Sequence, residues 1–128
     1  MTTTPTDLTN LNDLISGALD DTIAIRRDLH AHPEIKFKES RTSKVIQQHL
    51  TDMGIDFKAD IGGKEPNTGT GVVAHLPATT DNPGPCIGRR ADIDALPITE
   101  ISDLPHKSTN QGTMHACGHD GHTAILLG

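Results

Sequence analysis

Aromatic side chains are nearly absent from this chain. Two phenylalanines stand among 128 residues, with no tryptophan and no tyrosine. Any core must therefore be aliphatic, built from Leu, Ile, Val and Ala. Lysine and arginine never cluster beyond a pair, and the formal net charge is −6. That balance argues against nucleic acid or an anionic membrane as the main partner. No apolar run approaches the roughly 18 residues that a membrane span needs. The N-terminus, Met1-Thr2-Thr3-Thr4-Pro5-Thr6-Asp7, lacks the basic and apolar regions of a signal peptide. Cysteine is scarce as well, with only Cys86 and Cys117. One disulfide is open by count, but two cysteines make no secretory framework and Cys117 lies among histidines. A reduced compartment, the cytoplasm, is the expectation.

What is present is the composition of one ordinary globular domain, 34% hydrophobic and 22% charged. Residues 1–7 read as a flexible polar tail, with Thr6 or Asp7 as a possible helix N-cap. From Leu8 the apolar positions Leu11, Leu14, Ile15, Ala18, Leu19, Ile23 and Leu29 recur at three- and four-residue steps, an amphipathic helix. It should stop near His32, because Pro33 disfavours helical geometry in the residue before it. Glu39 to Met53 reads as a second helix, with Val45, Ile46, Leu50 and Met53 on one face and Gly54 just past its end. Strands are expected at Ile55 to Ile61, Gly71 to Leu76 and Cys86 to Ile93, separated by turns at 62–71 and 78–85. Arg89-Arg90 is awkward inside the third strand. Residues 94–113 form a loop long enough to suggest function. Asp120 to Leu127 begins a last helix. The order of elements predicts a layered α/β fold.

The densest chemistry lies in Met114-His115-Ala116-Cys117-Gly118-His119-Asp120-Gly121-His122, where nine residues hold three histidines, a cysteine and an aspartate. Cys117 and His119 flank one glycine, and a thiolate and an imidazole so spaced can reach one divalent metal. Such donors suit zinc, and imidazole also suits nickel, cobalt or manganese. Two donors are fewer than a site requires, so further ligands must come from elsewhere. His115 and His122 are local candidates. So are Asp92 and Asp94, which alternate around Ile93 and share a face of an extended chain. One of them could ligate the metal, orient a ligand histidine or hold a bound water; both could instead only cap the following turn.

Simpler roles suit most of the other polar residues. His30 and His32 are expected to cap the C-terminal end of the first helix. Arg26-Arg27 reads as a solvated face or an ion-pair donor. His49 and His75 read as surface or packed residues, and Cys86 as a strand residue of the core. A Cys117–histidine nucleophile pair is disfavoured, because two residues in one tight turn rarely align as attacker and base. Phosphate loops of the Walker or Rossmann type are missing.

Three segments together resemble one family. They are Arg26-Arg27-Asp28-Leu29-His30-Ala31-His32-Pro33-Glu34, then Arg90-Ala91-Asp92-Ile93-Asp94-Ala95-Leu96-Pro97-Ile98, then Met114 to His122. In this order they resemble the M20 metallopeptidases, in the amidohydrolase branch with hippurate hydrolase and the N-acyl-amino-acid and auxin-conjugate hydrolases. The resemblance runs from about residue 22 to the end.

The resemblance implies a zinc-peptidase-like α/β catalytic domain, of which residues 8–128 would be the N-terminal portion, with a smaller lid domain inserted later in the chain. It implies two divalent metal ions (manganese, zinc, nickel or cobalt), with Cys117 and His119 as ligands and Asp94 orienting the metal centre. In other branches a histidine ligand takes the place of Asp92. The implied reaction is metal-assisted hydrolysis of the amide bond of a small-molecule N-acyl amino acid, in a full-length protein that forms homo-oligomers. The family's general base, a glutamate in a Glu-Glu pair, and its remaining ligand histidines would lie downstream. On that basis the chain is expected to be an N-terminal fragment, inactive by itself. Two alternatives stand beside it. One is a non-catalytic remnant binding one metal weakly or none. The other is a redox or structural zinc module using Cys86 with Cys117, which Cys86→Ser would test.

Overall fold

The computed structural model describes residues 10–65, 68–78 and 84–128. The tail at 1–7, the proposed caps Thr6 and Asp7, and most of the 78–85 turn lie outside the described residues. Three helices and a two-stranded hairpin form in the order α1 (Leu11–Ala31), α2 (Ser40–Asp52), β1 (Phe57–Ile61), β2 (Gly71–Ala74) and α3 (His119–Leu127). α2 packs on the hairpin, and α3 lies against both α1 and α2.

α1 ends as its proline dictates. His32 is the cap residue, its N–H bonded to the Leu29 carbonyl and its Nδ1 2.8 Å from the Asp28 carbonyl oxygen. Only the second half of α1 is packed. Leu29 is buried, whereas Leu11, Leu14, Ile15 and Leu19 are exposed. α2 buries Ile46 and Leu50, the apolar face its spacing predicts, but leaves Met53 exposed. Gly54 follows with φ +69°, the left-handed conformation that ends a helix. The first turn of α2 is held from outside by Glu34, whose carboxylate accepts from Arg41 N (3.0 Å), Thr42 N (2.8 Å) and Thr42 Oγ1 (2.9 Å). A carboxylate there satisfies amides that have no partner within the helix.

β1 and β2 pair antiparallel, Phe57 with Ala74 and Lys58 with Val73, with a register shift before Ile61 meets Gly71. Gly69 is required nearby, because a Cβ at that position would overlap the Ile61 carbonyl.

The third expected strand does not form. Residues 86–93 have no ladder partner among the described residues, and Cys86, Arg89 and Arg90 are exposed. A strand exists only where a neighbour supplies N–H and C=O groups, and among the described residues no neighbour does. Cys86 is therefore not a core residue, and the two arginines meet no packing conflict. Pairing resumes just beyond, in two isolated bridges: Ile35 with Ala95 in parallel, and Leu96 with Met114 antiparallel.

The 94–113 loop is irregular but well fastened. Thr109 N and Oγ1 both donate to the Ala31 carbonyl at the end of α1, at 2.8 and 2.7 Å. Asn110 Nδ2 donates to the Pro33 carbonyl at 2.7 Å. The loop thus satisfies carbonyls that the end of α1 leaves open. The buried apolar set is small and aliphatic, comprising Leu29, Ile46, Leu50, Ala95 and Ala124. Buried polar residues accompany it, among them His30, His115 and Asp120.

Candidate metal centre

The nine-residue stretch begins at the Leu96–Met114 bridge. Leu96 N donates to the Met114 carbonyl at 2.9 Å and Met114 N returns the bond at 3.0 Å. This fixes the start of the stretch beside the segment carrying Asp92 and Asp94. The chain then turns through Gly118, whose φ of +82° is left-handed and is costly for any residue with a Cβ. His119 follows as the first residue of α3, and His122 N closes the first turn on the Gly118 carbonyl at 3.0 Å.

His119 meets both aspartates, one at each ring nitrogen. Nδ1 lies 2.9 Å from Asp94 Oδ1 and 2.9 Å from the Asp94 carbonyl oxygen. Both are acceptors, so Nδ1 carries a proton, and in the neutral ring Nε2 keeps its lone pair. Nε2 lies 3.9 Å from Asp92 Oδ2. The Asp92 side chain is half-exposed and pairs with Arg90 Nη2. The Asp92 carbonyl accepts from Thr123 Oγ1 on α3 at 3.1 Å. The two aspartates thus share a target, as their alternation predicts, but they approach it from opposite ends of the ring.

A histidine that binds metal through one nitrogen commonly donates its other N–H to a carboxylate or carbonyl. His119 has this arrangement complete, and its free Nε2 faces the more open side. Cys117, one glycine away, is exposed and not in a disulfide. An imidazole nitrogen and a thiol sulfur with a carboxylate close by suit zinc and its neighbours. These residues fit as part of a metal site. Among the described residues no group of three or more His, Cys, Asp or Glu side chains comes close enough to hold an ion. His122 sits beside His119, ring centroids 5.6 Å apart.

The next residue faces the other way. Asp120 is fully buried, with Oδ2 2.8 Å from His30 Nδ1 and 3.2 Å from Arg26 Nε. The far nitrogen of His30, Nε2, lies 3.3 Å from Glu100 Oε1. His30 is therefore not a helix cap. It lies on the face of α1 that meets α3, with its ring enclosed between two carboxylates. Arg26 takes the ion-pair role. Burial pushes the Glu100 carboxyl up. The Ser102 hydroxyl, the Ser108 N–H and His30 together outweigh burial and hold the carboxyl at about 2.

Two further histidines surround His30. His106 lies edge-on with centroids 5.6 Å apart, and His115 lies at 6.4 Å. Burial lowers His115 below the usual imidazole value, and Asp120 opposes that shift. Burial also lowers His106, helped by the positive charge of Arg27. His115, named from sequence as a possible ligand, thus belongs to the buried side of α3. Glu100 and His106 were not singled out from sequence. The only signal was that they lie in the long 94–113 loop.

An opening of about 380 Å³ runs along residues 59–65 of the hairpin. It contains none of the motif residues and lies away from this chemistry.

The sequence model of peptidase family M20/M25/M40 matches residues 88–128, which include Asp92, Asp94, Cys117 and His119. The chain is 49% identical to the N-acetylcysteine deacetylase of Bacillus subtilis over 83% of its own length and 26% of that protein. It is 44% identical to the N-acyl-L-amino acid amidohydrolase of Geobacillus stearothermophilus, over 90% of this chain and 29% of the relative. The crystal structure of the YxeP protein of Bacillus subtilis, described as a dinuclear metal-binding peptidase of the M20 family, superimposes with a TM-score of 0.77. That match has 45% identity and covers 88% of this chain and 30% of that one. The chain thus spans less than a third of the length of these relatives. In its motif, along most of its length and in its fold, the chain matches the M20 metallopeptidases.

Proposed function

We propose that residues 8–128 are the N-terminal portion of an M20-type catalytic domain. It would contribute part of a two-metal site that hydrolyses the amide bond of N-acyl amino acids. The observation that carries this reading is His119, with Nδ1 held by Asp94 and Nε2 left free beside Asp92. In this reading Cys117 and His119 are ligands. Asp94 fixes the tautomer and direction of the His119 ring. Bound divalent metals supply Lewis-acid activation of water and of the amide carbonyl. The names of the relatives, a deacetylase of N-acetylcysteine and an N-acyl-L-amino acid amidohydrolase, support the substrate class. The two free, exposed thiols suit the reducing cytoplasm.

Titration with Co²⁺ tests the ligand assignment, since a cobalt–thiolate bond gives a charge-transfer band. The chain should develop that band, Cys117→Ala should lose it, and Cys86→Ser should keep it. A band that survives Cys117→Ala, or disappears with Cys86→Ser, would remove Cys117 and His119 as the ligand pair. The non-catalytic alternative is favoured by one observation, the absence of a third close donor among the described residues. It predicts that the cobalt band of the wild-type chain is weak or missing.

A further inference from the structure

The geometry points to His30 as a positioning residue for the metal-binding turn, acting through Asp120. His30 lies in the first of the three motif segments, 89 positions before His119 in the chain, and touches none of the metal-site residues. Its ring is 4% exposed and stands between two buried carboxylates, Asp120 on α3 and Glu100 in the 94–113 loop. Glu100 in turn accepts from Ser102 Oγ at 2.5 Å and from Ser108 N at 2.6 Å. One imidazole therefore joins α1, the long loop and the first turn of α3.

The consequence for the site follows from adjacency. Asp120 and His119 are consecutive residues at the start of α3. If Asp120 is fixed on one side, the direction of His119 is fixed on the other. His119 must place one nitrogen between two Asp94 oxygens, each at 2.9 Å, and a small rotation of the first turn would break that fit. Among the described residues nothing comparable anchors the Cys117 side chain, which is exposed and precedes the left-handed Gly118 at the helix start. Arg26 adds a second, weaker hold on Asp120, because its side chain is 46% exposed. The clamp also links the motif segments. His30 and Arg26 of the first grip Asp120 of the third. Glu34 of the first accepts from Ala95 N of the second at 2.8 Å, and His119 of the third meets Asp94 of the second.

The test reads the His119 tautomer directly, without metal. Long-range ¹H–¹⁵N correlation spectra of the labelled chain at one neutral pH separate the two imidazole forms. The wild-type chain should show His119 with its proton on Nδ1. His30→Gln should lose most of that signal in favour of the Nε2–H form preferred by free histidine. Leu50→Ala, a core truncation on α2 away from the clamp, should leave it unchanged. An unchanged His119 tautomer in folded His30→Gln overturns the inference, and so does an equal loss in Leu50→Ala. Should His30→Gln fail to fold, Arg26→Ala replaces it. It cuts only the half-exposed arm and should give a smaller shift of the same sign, while no shift overturns the inference. Calling the turn metal-binding rests on the proposed ligand assignment, and the two fail separately. A chain in which His30 controls His119 but Cys117→Ala keeps the cobalt band has the clamp and lacks the assigned ligands.

Discussion

His119 and Asp120 are neighbours in the chain, yet they look into opposite surroundings. On the Asp120 side every close partner is buried or charged: His30, Arg26 and, one step further, Glu100. On the His119 side the partners are half-exposed, Cys117 is open to solvent, and one ring nitrogen has no donor to accept from. One face of the helix start is a buried polar cluster and the other presents exposed side chains. The buried face fixes the helix start, and the open face depends on it for its orientation.

The largest test of this contrast is Asp120→Ala. It leaves Arg26 and His30 without their buried acceptor, and breaking a buried charged contact by removing one partner costs about 3–5 kcal/mol. Urea unfolding should show a loss of that order. A loss below about 1 kcal/mol would mean that the buried face is not the anchor. Gly118→Ala comes next. It forces a Cβ into a left-handed turn at φ +82° and should cost about 1–2 kcal/mol, read from the same urea curves.

Acid provides a third probe. The Glu100 carboxyl is held at about 2, below its usual 4.5. A carboxylate so depressed stabilises the fold above its unfolded value. Between about 4.5 and about 2 the unfolded chain binds the proton more readily, so stability should fall across that window. Glu100→Gln should flatten this part of the curve. His106 is shifted below the usual 6.5, so it favours the neutral ring, and stability should begin to fall as pH drops through that value. His115 is lowered in the same sense, so His106→Gln should reduce that earlier decline without abolishing it. The smallest expected effect on stability is on the open side. Cys117→Ser changes an exposed residue with no structural bond, and should alter stability by less than about 0.5 kcal/mol. A large loss there would erase the contrast between the two faces.

The legibility of these features in the sequence followed their range. α1 and α2 were readable because Leu29, Ile46 and Leu50 recur at helical spacing, and because Pro33 and Gly54 mark the ends. The hairpin was readable from two short strand candidates on either side of the turn at 62–71. The strand at Cys86 to Ile93 was misread, because its composition says that it is extended but not whether a neighbour will pair with it. His30 was misread as a cap for a related reason. Its position near the end of α1 is local information, while its contact with Asp120 spans ninety positions.

The sequence by itself determined that this chain carries metal-prone donors in an M20-type motif. A thiol and an imidazole around one glycine form a pattern set by covalent spacing alone. Only the tertiary structure decided which nitrogen of His119 faces Asp94, and that His30 on α1 meets Asp120 in the first turn of α3. Those contacts depend on the orientation of side chains brought together by chain closure. Periodicity cannot encode that orientation, because it specifies which face of an element a residue occupies but not what that face will meet.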